Sequence, residues 1–64
     1  MKRDALIREL RKIARGRGVV FEVFTDKGKG SHYRVTFGDR MTTIQSGELN
    51  PFHVRRIKEQ LGVE

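Results

Sequence analysis

Between residues 32 and 37 apolar side chains recur at every second position, and that period limits what the rest of the chain can be. Tyr33, Val35 and Phe37 form one set; His32, Arg34 and Thr36 form the other. A period of two belongs to a strand with one buried face, so the first set points to a core and the second to solvent. Just before it, Lys27, Gly28, Lys29, Gly30 and Ser31 make a cationic stretch whose glycines let a large ligand approach the backbone. A histidine, an arginine and two lysines are thereby offered together, which suits a phosphodiester. His32 is the candidate for proton transfer, and Lys27, Lys29, Arg34 and the amides of Gly28, Gly30 and Ser31 are candidates for holding phosphate.

Residues 19–25 read as a second strand by their β-branched and aromatic content. Val19, Phe21 and Val23 face inward, leaving Val20, Glu22 and Phe24 outward. A hairpin loop over residues 26–30 that sets Thr25 against Ser31 brings Val23, Phe21 and Val19 opposite Tyr33, Val35 and Phe37. The same register sets Glu22 against Arg34 and Phe24 against His32. Gly38-Asp39 suits a type II′ turn into a third strand over residues 40–45. Pairing Phe37 with Arg40 places Val35 by Thr42 and Tyr33 by Ile44 inside, with Arg34 by Thr43 and His32 by Gln45 outside.

Helices flank the three strands. Over residues 3–15, Leu6, Leu10 and Ile13, with Ile7 and Ala14, make a stripe at helical spacing, and Asp4 sits in the first turn. Arg8, Arg11, Lys12 and Arg15 lie off that stripe as a solvated face, and residues 15–18, with two glycines, end the helix. Before the second helix, Asn50 is a good N-cap, Pro51 suits the first helical position, and Leu49 can pack on Val54. Val54, Ile57 and Leu61 are its inward stripe, Arg55, Arg56 and Lys58 face out, and Gly62 stops it. His53 reads as a surface residue of the first turn.

The fold class that follows is α+β: a two-layer α-β-β-β-α domain with a three-stranded antiparallel sheet and both helices on one face. Residues 1–64 form a single domain. The other sheet face stays uncovered, and its Val20, Phe24 and Met41 are more apolar than water alone requires. Phe24, Met41 and Gln45 are therefore expected to face a partner.

A chain of 64 residues buries only about 60% of the surface its unfolded form exposes, so the core is thin. There is no cysteine to staple it, and two histidines without a paired acidic motif give no metal-site spacing, so neither metal nor cofactor is expected. Fourteen Lys and Arg against eight Asp and Glu leave a net charge of +6, which favours polyanions or an acidic protein. No apolar run approaches the roughly 18 residues of a membrane span, and the first residues lack the apolar core of a signal peptide. A cytoplasmic protein is expected.

Four stretches together resemble the HicA toxins: the Lys-Gly-Lys-Gly-Ser-His-Tyr run ending at Tyr33, the first helix with Lys2, Arg3 and Asp4, the Thr42-Thr43-Ile44 strand, and the closing Ile57, Leu61, Gly62 and Val63. HicA toxins are small endoribonucleases (mRNA interferases) of bacterial toxin–antitoxin systems, linked to stress responses, with a fold like that of double-stranded RNA-binding domains. The resemblance implies that His32 is catalytic, that the substrate is mRNA, and that an acidic HicB-like antitoxin inhibits the protein. The chain would then be a monomer alone or a hetero-oligomer with its antitoxin. Many members carry a second histidine after the first, where this chain has Tyr33, and another before the last helix, which this chain lacks. With His32 as the single acid–base group, a slow, metal-independent enzyme is expected. The alternative from another class is a non-catalytic RNA-binding module of the same fold.

Overall fold

The computed structural model describes residues 1–25 and 32–63, so the expected loop and the phosphate candidates Lys27, Gly28, Lys29, Gly30 and Ser31 lie outside the described residues. The element order is α1 (Arg3–Arg17), β1 (Phe21–Thr25), β2 (His32–Phe37), β3 (Arg40–Gln45) and α2 (Pro51–Gln60). The strands form one antiparallel sheet in the order β1-β2-β3. This is the α-β-β-β-α layout that the residue pattern predicts.

α1 runs two residues further than its stripe suggests, through Gly16 to Arg17. It ends at Gly18, whose φ of 68° is left-handed and whose N–H reaches back to the carbonyls of Ala14 and Arg15. The strand expected from residue 19 begins only at Phe21, with Val19 and Val20 serving as the link out of the helix. At the other hairpin, Gly38 has φ 64° while no residue other than glycine has a positive φ among those described. That combination fits the II′ turn, which needs the left-handed conformation at its first central residue only.

One cluster joins the layers. Leu6, Ile7, Leu10 and Ala14 of α1 pack with Val35, Phe37 and Ile44 of the sheet and with Leu49, Ile57 and Leu61 around α2. Both helices therefore cover the same sheet face. Val54, Val19, Phe21, Val23 and Ile13 are half-buried at the edge of that cluster. Tyr33 faces this layer as expected but is only half-buried, and the Arg3 guanidinium, 3.6 Å from its ring centroid, covers part of the ring.

The register of β2 with β3 is the expected one, with His32 opposite Gln45, Arg34 opposite Thr43 and Phe37 opposite Arg40. The register of β1 with β2 is shifted by two residues from the expected one. Phe21 faces Phe37, Val23 faces Val35, Phe24 faces Arg34 and Thr25 faces Tyr33. Glu22 stands across from Thr36, so neither the Glu22–Arg34 nor the Phe24–His32 pairing forms directly across the strands. Phe21 and Phe37 meet edge to face, with centroids 6.3 Å apart and planes at 72°, and Gly38 N–H donates to the Val20 carbonyl at 2.8 Å.

Ion pairs and capping bonds then lock the helices. Asn50 Oδ1 accepts from His53 N–H at 2.8 Å, capping α2. Lys58, expected to face outward, instead reaches Glu9 of α1 at 2.6 Å. Arg17 donates to the Gly62 and Val63 carbonyls at 3.1 and 3.4 Å, placing a cation at the negative end of α2. The first residues pair with the segment entering α2. Leu49 N–H donates to the Met1 carbonyl at 2.8 Å, Arg3 N–H to the Gly47 carbonyl at 3.3 Å, and the Met1 ammonium meets Glu48 at 2.7 Å.

Candidate functional site

The sheet face turned away from the helices is uncovered. Odd-numbered residues of β2 point into the core, so His32 and Arg34 point out, and both are exposed. Val20, Phe24 and Met41 are exposed on the same face by 66, 50 and 59%. Three large apolar side chains on a single face exceed the scattered exposure that surfaces ordinarily show.

His32 opens β2, and the pairing with β3 fixes its neighbour: Gln45 stands directly across from it. Arg34, two residues on, has Phe24 across from it on one side and Thr43 on the other. Directly opposite residues in an antiparallel pair have Cβ atoms about 4.5–5.5 Å apart, so each row forms a contiguous surface. A cleft of ≈ 360 Å³ opens there, lined by Phe24, Thr25, His32, Arg34 and Thr43. It combines an imidazole able to accept or donate a proton, a guanidinium able to hold a phosphoryl group, a hydroxyl and an aromatic ring. The sheet thus brings His32, Arg34 and Phe24 together.

Two of the expected partner-facing residues, Met41 and Gln45, are exposed but do not line this cleft. They belong to a second groove of ≈ 460 Å³ between β3 and α2, which Thr43 shares with the first. His53, Arg56 and Gln60 of α2 line its far side, with Leu49 and Ile57 beneath. The residue pattern assigns His53 and Arg56 to a solvated helix face, and both are indeed exposed. Their convergence on β3 is a tertiary feature, although their spacing of three already sets them on one side of a helix.

The remaining basic residues are divided between surface and scaffold. Arg8, Lys12 and Arg15 are exposed on α1, on the layer opposite the cleft. Arg11 and Arg17 have guanidinium carbons 5.7 and 5.9 Å from the centroids of Phe21 and Phe37, so they help cover the open end of the core. Among the described residues, no three His, Cys, Asp or Glu side chains cluster as a metal site, and no helix is long and apolar enough to cross a membrane. No family model, no curated protein and no solved structure matches this chain.

Proposed function

We propose that this protein is a small endoribonuclease of the HicA toxin type, in which His32 moves the proton during cleavage of mRNA. The observation that carries the proposal is the shared cleft of His32, Arg34 and Phe24 on a sheet face that the helices leave open. In the proposed reaction the ribose 2′-OH attacks the adjacent phosphorus. The 2′-oxygen–phosphorus bond forms and the 5′-oxygen–phosphorus bond breaks, leaving a 2′,3′-cyclic phosphate and a 5′-hydroxyl. His32 takes the 2′-OH proton as general base, or protonates the departing 5′-oxygen as general acid. An imidazole can both accept and donate a proton and so serves either role. Arg34 stabilises the charge that builds on the phosphoryl oxygens, joined by Lys27 and Lys29 and by the amides of Gly28, Gly30 and Ser31. Phe24 offers a ring on which a neighbouring base stacks.

One acid–base group accounts for about 10²–10⁴ in rate, so turnover is slow. His32→Ala is expected to lower cleavage of labelled RNA by that factor while leaving affinity and fold intact. An all-deoxy strand is expected to survive, and chelators are expected to leave the rate unchanged. Binding with no cleavage by wild-type protein, and only weaker binding by His32→Ala, would instead identify an RNA-binding module.

The exposed Val20, Phe24 and Met41 support the other half of the proposal, an acidic antitoxin of the HicB type docking on this face. Net charge +6 favours such a partner electrostatically. Co-purification with a small acidic protein that blocks RNA cleavage, and loss of that block in Val20→Asp, is the expected result, since Val20 is exposed and lines neither the cleft nor the neighbouring groove.

A further inference from the structure

We infer that the groove between β3 and α2 seats the nucleotide one step beyond the two that the cut bond joins, with its base on the apolar floor and its phosphate against His53 and Arg56. The inference rests on the reading of His32 as an RNA-cleaving residue and adds a substrate subsite to it. Three observations carry it.

The first is continuity. Thr43 lines both the His32 cleft and the groove, and Gln45, which lines the groove, stands directly across from His32. A strand with its phosphate at His32 enters the groove by crossing β3, one strand spacing of about 5 Å. The second is charge. The groove is lined by His53 and Arg56 and by no Asp or Glu. His53 is the residue whose amide the Asn50 side chain caps, so it stands in the first turn of α2, where the helix dipole adds to the attraction for an anion. The third is the lining. Met41, Leu49 and Ile57 give an apolar floor on which a base can lie, and Gln45 and Gln60 supply amides for its edge. The Thr42 hydroxyl donates to the Gln60 amide oxygen, which leaves the Gln60 NH₂ group to donate to a base.

β3 is also the edge of the sheet, so an extended peptide is the competing occupant. The cationic lining and the shared wall with the His32 cleft favour the nucleotide.

The test compares two lengths of one oligonucleotide: a dinucleotide, and a tetranucleotide extending it on both sides. Each is made with a 2′-O-methyl group at the scissile position for affinity, and with a 2′-OH for cleavage. Wild type, Arg56→Ala, Gln60→Ala and His32→Ala are compared. Arg56 and Gln60 are exposed, and circular dichroism checks that the variants stay folded. Wild type is expected to bind the tetranucleotide about 5- to 150-fold tighter than the dinucleotide, the worth of one stacked base. Arg56→Ala and Gln60→Ala are expected to lose most of that gain and to bind the dinucleotide as wild type does. Equal affinity of wild type and both variants for the tetranucleotide overturns the subsite, even if His32→Ala abolishes cleavage. Groove-dependent binding without cleavage upholds the subsite and defeats the ribonuclease reading. Protection of the groove from hydrogen exchange by an acidic polypeptide, but not by the tetranucleotide, assigns it to protein and also overturns the subsite.

Discussion

Arg34 is the residue at which structure and chemistry meet most closely. Its position on β2 is set by a core that needs Val35 on one side of the sheet, and the same alternation obliges Arg34 to emerge on the other. Phe24 and Thr43 stand across from it, so Arg34 belongs to a surface formed by all three strands. If it holds phosphate, Arg34→Ala should weaken RNA binding uniformly across sequences and reduce the salt slope by about one. Affinity measured between 50 and 200 mM salt reads this directly; an unchanged slope would remove Arg34 from the phosphate contacts. His32 was legible in the same way, since its outward direction follows from Tyr33, Val35 and Phe37 alone. His53 was not. Its position on α2 follows from the Asn50 cap and Pro51, but a single helix does not say which strand lies beside it.

Among the elements, β1 shows where residue patterning loses its power. Two registers separated by two residues bury the same side chains, so Val19, Phe21, Val23 and Phe37 cannot choose between them. The choice falls to details of packing: the edge-to-face contact of Phe21 with Phe37 and the hydrogen bond from Gly38 to Val20. A slip of one residue would have reversed both faces, and the pattern does exclude that. β2 and β3 were easier, because a two-residue turn leaves one register. The start of α2 was legible for a similar local reason, since three adjacent signals agree there. Asn50→Ala removes the side-chain acceptor for His53 N–H and is expected to cost about 1 kcal/mol. In a domain of this size that lowers the melting temperature by about 4–8 °C, read by circular dichroism. Asn50→Asp should retain most of the stability, because either side chain can accept the bond.

At the scale of the whole molecule the core is small, and stability of about 0.05–0.15 kcal/mol per residue leaves only a few kcal/mol in reserve. Leu10 is fully buried where α1 meets the sheet, so Leu10→Ala, at about 2–5 kcal/mol, should leave little folded protein at 37 °C. With so little margin, contacts between chain-distant segments matter, and the one joining Met1 to Glu48 depends on pH. The Met1 ammonium, through a hydrogen bond and its charge, holds the Glu48 carboxyl below its ordinary value of 4.5, with a smaller contribution from Lys2. The folded state therefore binds a proton at Glu48 less readily than the unfolded chain does. The stabilisation is complete above about pH 4.5 and is lost as pH falls through the lower, folded value. Glu48 is solvent-exposed, so salt should screen the effect. Wild type should accordingly resist urea better than Glu48→Gln at neutral pH and low salt, with the gap closing below pH 4.5 and in molar salt. A gap that persists in acid would show that Glu48 supports the chain through something other than its charge.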